Sequence, residues 1–240
     1  MELSVVVPVH NEAENVRPLI GEIRAALDGV VEYEIVYVDD GSSDATPERL
    51  AEAAKDFPCL RVLRHRRQSG QSTALWTGVR HARAPWIATL DGDGQNDPAD
   101  IPKLLALALD PDRKLDLVAG HRVTRKDSAT QRLASRIANG VRSRMLRDDT
   151  PDTGCGLKVF SRAVFLALPY FDHMHRFLPA LVLRSGGRVR SVPVNHRPRQ
   201  RGRSHYGINN RLWVGLVDIV GVMWLRRRTR LTEVDEVGRR

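Results

Sequence analysis

The sequence predicts an α/β protein with a mostly parallel central sheet and helices on both faces, of the doubly wound, Rossmann-like kind. Two observations carry that prediction. Short β-branched runs alternate with stretches of helical spacing over the first 120 or so residues, which is the rhythm of β-α-β units. Three of the runs end in acidic or polar clusters, at residues 8–12, 39–44 and 91–95. Strand ends of a parallel sheet share one edge, and open α/β folds bind ligands there.

The elements follow in order. Leu3–Val9 is a β-branched run and reads as a buried first strand. Residues 12–27 carry Val16, Leu19, Ile20, Ile23 and Leu27 at helical spacing. Residues 33–38 form a second strand that runs into the Asp39–Asp44 cluster. Asp44 or Ser43 caps a helix over Thr46–Asp56, with Pro47 at a tolerated first-turn position. Residues 60–63 make a third strand, 71–83 a third helix and 86–90 a fourth strand, followed by a helix over 98–109 and a fifth strand over 115–120. After Arg122 the rhythm changes. Residues 128–146 are Arg-rich and helical in spacing, 153–160 strand-like, 171–184 helical, 188–194 extended and 196–206 a basic loop. The spacing predicts one compact domain over 1–210, whose two halves (about 1–122 and about 123–210) divide near Arg122. An apolar helix and basic tail follow over 211–240.

Hydrophobic residues make up 42% of the 240-residue chain, enough for a sizeable core. The two cysteines, Cys59 and Cys155, offer neither a disulfide framework nor zinc spacing, which fits a reducing compartment. No basic-then-apolar leader precedes the first strand, so a cleaved signal peptide is not expected. The formal net charge of +9 is concentrated: residues 173–217 hold nine arginines and no Asp or Glu. Such a stretch predicts an anionic partner: phosphates, anionic lipid or nucleic acid. Few aromatics lie among these arginines, which argues against base stacking on single strands.

Asp91 and Asp93 stand two apart in an Asp-Gly-Asp turn that can bend both carboxylates onto one point. Hard oxygen ligands on a flexible backbone suit Mg²⁺ or Mn²⁺, which commonly share their coordination with phosphate oxygens. An ordinary Asp/Gly turn is the simpler reading of that stretch alone. Convergence with the other two strand ends favours a site for a nucleotide diphosphate. His10, His65, His81, His173 and His175 show no ligand spacing and are assigned to surface or satisfied core positions. Cys155 is assigned to a buried structural role.

At this point the chain resembles the family 2 glycosyltransferases of the GT-A fold, and among them the polyprenyl-phosphate sugar transferases, such as those resembling dolichol-phosphate mannose synthase. The resemblance is carried by Val6-Val7-Pro8-Val9-His10-Asn11-Glu12, Val38-Asp39-Asp40-Gly41-Ser42-Ser43-Asp44, Gly70-Gln71-Ser72-Thr73-Ala74-Leu75 and Asp91-Gly92-Asp93-Gly94-Gln95. Gly120-His121-Arg122, Asp152-Thr153-Gly154, Gly156-Leu157-Lys158-Val159-Phe160 and Arg199-Gln200-Arg201-Gly202-Arg203-Ser204-His205-Tyr206 complete it. The resemblance implies that the first half (about 1–122) binds the nucleotide and the second (about 123–210) the acceptor, with Asp91, Asp93 and Gln95 holding Mg²⁺ or Mn²⁺ against the donor diphosphate. It implies that Pro8, Glu12 and Asp39 line the base and ribose, with Gln71 also on the donor side. Arg122 matches an arginine near the phosphates, which Arg132 or Arg136 supplements. Arg199, Arg203 and Ser204 match a loop closing over donor and acceptor phosphates. Where relatives often carry Lys before the tyrosine, this chain has His205, which makes that contact pH-dependent or absent.

The implied reaction is inverting transfer of a sugar from a GDP- or UDP-linked donor to a polyprenyl (dolichyl or undecaprenyl) phosphate. A lipid monophosphate has a second pKa of roughly 6 and is already an anion at neutral pH, so no general base is required. Arginines plus a metal suffice to hold two anions together and neutralise the leaving group. A sugar acceptor would need a base, for which Asp152 is the nearest candidate, although an acceptor-site or structural role is the preferred reading. The alternatives are a family 2 transferase with a sugar or other non-phosphate acceptor, and a catalytically silent anion-binding module. The expected setting is the cytoplasmic face of a membrane, peripherally bound, with no nucleic acid and with a homo-oligomer or membrane-anchoring partner allowed. The apolar stretch 212–225 would span about 21 Å as a helix, too short for a hydrocarbon core of about 30 Å. Trp213, Trp224 and the arginines at 226–228 and 230 suit a helix lying in a membrane interface, with packing on protein as the equal alternative.

Overall fold

The computed structural model describes residues 1–122, 143, 145, 146, 148–199, 211–228, 230 and 232. Helix spacing expected over 128–146 and the basic loop beyond Arg199 fall largely outside these residues. The described elements are β1 (Leu3–Val9), α1 (Val16–Leu27), β2 (Tyr33–Asp39), α2 (Thr46–Asp56), β3 (Leu60–Arg64), α3 (Gln71–His81), β4 (Trp86–Thr89) and α4 (Ile101–Leu109), which a 3-10 turn at Pro98–Asp100 precedes. They continue as β5 (Leu117–Arg122), β6 (Lys158–Ser161), α5 (Arg162–Ala167), α6 (Leu178–Arg184), β7 (Val189–Val194) and α7 (Arg211–Arg228).

The strands form one sheet in the order β3-β2-β1-β4-β6-β5-β7. All neighbours pair in parallel except β6, which runs antiparallel to both β4 and β5. The mostly parallel sheet expected from the sequence is therefore present, with one reversed strand inside it. Strand alternation divides the core in two. Leu3, Val5, Val7 and Val9 of β1 pack with the apolar stripes of α1, α2 and α4. Val6, on the other face, packs with α3, α5, α6 and Val222 of α7. β1 is buried at every position but Pro8, as the central strand of a sheet covered on both sides should be.

Several boundaries differ from the expected ones, each for a local reason. The helix expected from residue 12 begins at Val16, because Asn11 adopts a left-handed φ of 56° and the 12–15 segment turns back on itself through an Asn15 N–H to Glu12 carbonyl bond of 2.9 Å. The helix expected over 171–184 is broken. His173 takes φ 64°, a 3-10 turn follows at Met174–Arg176, and α6 starts only at Leu178. The strand expected over 153–160 pairs only at Lys158–Ser161, leaving 153–157 as a loop. Ser161 then caps α5, a helix not expected from the sequence, by accepting a 3.4 Å bond from the Val164 N–H.

α7 has two different faces. Val222 is buried, with Ile219, Met223 and Leu225 packed beside it. Asp218 approaches His173 Nδ1 at 3.1 Å, and Arg184 Nε donates to the Leu225 carbonyl at 3.1 Å. Val217, Val220 and Trp224 are exposed on the opposite side. Among the described residues no helix is long and apolar enough to cross a membrane.

Candidate functional site

The carboxyl ends of β1, β2 and β4 lie side by side, because Val9 pairs with Asp39 and Val6 with Thr89 in the parallel register. Pro8 and Val9 form one wall. A Cβ on Gly92 would overlap Val9 and lie 3.1 Å from the Pro8 carbonyl, so only glycine lets the 91–95 turn sit this close to β1.

On the β2 side, Asp39 is buried and accepts the Ser42 N–H at 2.9 Å through Oδ1. Its Oδ2 lies 3.1 Å from Arg64 Nε, without a hydrogen bond. Asp40 does different work. Its carboxylate accepts the Ser69 and Gly70 N–H groups at 2.9 and 2.8 Å and meets His65 Nδ1 at 2.6 Å. It thereby holds the turn that opens α3. Glu12 accepts from Asn15 Nδ2 at 2.7 Å and pairs with Arg199, whose guanidinium also lies 3.9 Å from Asp93 Oδ2.

On the β4 side, Gln71 at the start of α3 donates from Nε2 to Asp91 Oδ1 at 2.8 Å. Asn96, buried, accepts the Asp91 N–H at 3.1 Å. Asp93 Oδ1 accepts the Gln95 N–H at 3.1 Å. The Gln95 side chain reaches the Arg197 carbonyl at 3.4 Å, and the Arg197 N–H returns a 2.9 Å bond to the Gln95 carbonyl. Burial, then repulsion from Asp93, pushes the Asp91 carboxyl up to about 6, although Lys158, Arg122 and Gln71 pull the other way.

Arg122, the last residue of β5, is clasped by Asp152. Nε and Nη2 donate to the two carboxylate oxygens at 2.6 and 2.8 Å, and the Arg122 N–H adds a bond of 3.2 Å. Lys158 is buried behind them and donates to the carbonyls of Thr153 and Cys155. Burial lowers its pKa, against the pull of Cys155, Asp91 and Asp152.

The structure thus brings together Pro8, Glu12, Asp39, Gln71, Asp91, Asp93, Gln95, Arg122 and Arg199. Arg132, Arg136, Arg203, Ser204 and His205 lie outside the described residues. A cleft of about 810 Å³ opens beside Glu12, Asn15, Arg17, Asp44 and Arg49, but it does not reach Asp39, Asp91 or Asp93. The hydrogen-bond chemistry at the strand ends is the better guide to the site. Sequence reasoning gave no role to Lys158, Asn96 or Gly156. Lys158 and Gly156 sit within a quoted motif, so their place in the chain was visible, but not what they touch.

The donor set fits a divalent cation. Among the described residues no group of three or more His, Cys, Asp and Glu could hold a metal. Asp91 and Asp93 offer hard oxygens whose mutual repulsion a cation would relieve, leaving its other positions for substrate oxygens and water, as suits Mg²⁺ or Mn²⁺.

Comparison with known proteins gives the chain relatives in sequence and in fold. The family model described as glycosyl transferase family 2 matches residues 4–168. Dodecaprenyl-phosphate galacturonate synthase from Rhizobium johnstonii is 36% identical over 232 residues, which cover 95% of this chain and 68% of that protein. Undecaprenyl-phosphate 4-deoxy-4-formamido-L-arabinose transferase from Edwardsiella ictaluri is 38% identical over 209 residues, covering 86% of this chain and 63% of that one. Mannosyl-3-phosphoglycerate synthase from Rubrobacter xylanophilus matches in structure with a TM-score of 0.74 at 19% identity, covering 100% of this chain and 79% of that one. At that identity the likeness speaks for the fold.

Proposed function

The chain belongs to glycosyl transferase family 2 and is a glycosyltransferase, and from that premise we propose that it transfers a sugar from a nucleotide-diphosphate donor to a polyprenyl phosphate at a membrane surface. The observation that carries this reading is the way the site's charges are spent. Acidic groups gather on the donor side, at Glu12, Asp39, Asp91 and Asp93. Asp152, the nearest candidate base, gives both its oxygens to Arg122. A sugar hydroxyl would need a carboxylate to take its proton. A phosphate nucleophile needs cations to hold it, and the Asp152 clasp, which fixes the orientation of Arg122 at the end of β5, supports assigning Arg122 to that task. The names of the two relatives support the same acceptor class. Their sugars differ, so the donor sugar is left to experiment.

In this mechanism Glu12, Asp39 and Pro8 take the base and ribose. Asp91 and Asp93, with Gln95, would hold Mg²⁺ or Mn²⁺; the cation, when bound, would neutralise charge on the leaving diphosphate. Arg122 and Arg199 draw donor and acceptor phosphates together, so that orientation and electrostatics lower the barrier without proton transfer. In-line attack by the acceptor oxygen inverts the anomeric centre.

The test is a panel of UDP- and GDP-sugars, uronic acids and aminopentoses included, with a short polyprenyl phosphate and Mg²⁺ or Mn²⁺, read by mass spectrometry. A glycosyl phospholipid should form from one donor, and both EDTA and Asp93→Ala should lower turnover by at least about 100-fold, as loss of a principal electrostatic contact does. Transfer only to free sugars would remove the lipid phosphate from the proposal, and turnover that survives Asp93→Ala would remove the metal.

A further inference from the structure

We infer that Gly156 and Asn96 are positioning residues for Asp91: the bare Cα of Gly156 and the Asn96 carboxamide set where the Asp91 carboxylate points. This rests on the reading of Asp91 as a metal ligand. The reversed strand is what makes it possible. β6 pairs with β4 so that Thr89 faces Lys158, and two residues further along the same register Asp91 faces Gly156. A Cβ at Gly156 would overlap the Asp91 carboxylate and lie 2.7 Å from Asn96 Oδ1.

The backbone there has little freedom to yield. Thr89 Oγ1 donates to the Gly156 carbonyl at 2.6 Å, and the Gly120 N–H donates to the Leu157 carbonyl at 2.9 Å. Two neighbouring carbonyls are thus tied to two different strands. A side chain at 156 therefore displaces the carboxylate rather than the loop. Gln71 holds the carboxylate from the other side through Oδ1, and Asn96 fixes the Asp91 backbone through its N–H. Asn96 is itself anchored, since its carbonyl accepts from Arg197 at 3.0 Å and it forms a β-bridge with His196. Close placement of this kind is what ligand geometry at Mg²⁺ and Mn²⁺ demands.

The experiment measures Mn²⁺ binding in the presence of UDP or GDP, from the loss of the free-ion electron paramagnetic resonance signal, alongside thermal melting of the metal-free protein. Gly156→Ala should weaken Mn²⁺ binding at least ten-fold, and Asn96→Ala at least three-fold. Wild-type-like Mn²⁺ binding by a folded Gly156→Ala protein, within two-fold, overturns the inference. If Gly156→Ala lowers the melting temperature, the same substitution in an Asp91→Ala background decides the cause. The melting penalty should fall by at least half there, because the overlap with the carboxylate is gone and only the 2.7 Å approach to Asn96 Oδ1 remains; an undiminished penalty overturns the inference. Asp93→Asn separates the two levels. Unchanged Mn²⁺ binding in that variant counts against the metal reading itself, while the Gly156–Asp91 cycle in melting still tests the contact.

Discussion

His175 is held neutral by its surroundings. Burial first, then the charges of Lys158, Arg176 and His173, depress its pKa to about 3. Its Nδ1 is hydrogen-bonded with Ser72 Oγ at 2.7 Å, and the same oxygen accepts the His175 backbone N–H at 3.3 Å. An unfolded chain takes up the proton near pH 6.5, whereas the folded one resists it down to about 3. The stability this residue contributes is therefore complete above about pH 6.5 and is lost as pH falls toward 3. Each pH unit in that window costs at most about 1.4 kcal/mol. We predict that His175→Asn flattens the fall in melting temperature between pH 6.5 and 4, and a slope equal to wild type would refute it. Lack of ligand spacing pointed to a surface or satisfied core position for this histidine without choosing between them, and Ser72, which satisfies it, lies far away in the chain and could not be named. Asp91 shows the same limit: its motif was legible, while the contacts that orient it come from residues 71, 96 and 156.

Helix α7 packs on the protein through one face and leaves the other exposed, so the membrane-interface reading rests on the outer face alone. Its inner face is tied to the core by Val222, by Asp218 beside His173 and by Arg184. Its outer face carries Val217, Val220 and Trp224 at 69, 62 and 58% exposure, spaced as one helical stripe. Arg228 stands over the Trp224 ring at 5.9 Å, and Arg227 is exposed beside it. An apolar stripe ending in arginines suits an anionic bilayer surface, with the stems of the arginines along the apolar side and their heads at phosphates. Replacing Val217, Val220 and Trp224 together by serine should cut co-sedimentation with phosphatidylglycerol vesicles at least five-fold. Melting should stay within about 2 °C, because the Val222 face is untouched. Unchanged sedimentation would refute the membrane face, and loss of a dimer in light scattering would assign the stripe to a second copy instead. The apolar run over 212–225 pointed to a helix too short to span a bilayer, and the structure extends it to Arg211–Arg228. Which residues turned inward depended on His173 and Arg184, which no local pattern reveals.

Across the whole molecule, the sheet decides what can stand alone. β1 to β4 were legible because each is a short run rich in β-branched or apolar residues with a stretch of helical spacing after it. The place of β6 was not, since pairing between distant strands has no local signature. Nor does the basic stretch stand apart from acids: Arg197 and Arg199 pair with Glu22 and Glu12, drawing it across the donor-side loops. The consequence is interleaving. β5, which precedes residue 123, lies between β6 and β7, which follow it, and β6 also closes the free edge of β4. A fragment of residues 1–122 would leave β5 without either neighbour and β4 with an open edge. It would also remove Phe160, Phe165, Leu178 and Leu181 from the core that covers Ile87, Leu117 and Ala119. Burying each such side chain contributes about 1.5–3 kcal/mol, and a domain's net stability is only about 5–15 kcal/mol, so losing several exceeds the margin. We predict that the 1–122 fragment shows no cooperative melting and no native near-ultraviolet circular dichroism, while the full chain melts in one transition by calorimetry. A fragment that melts cooperatively would mean that the donor-side strands form an independent unit, and the charge network linking Arg122 to Asp152 would then have to assemble by docking rather than by folding.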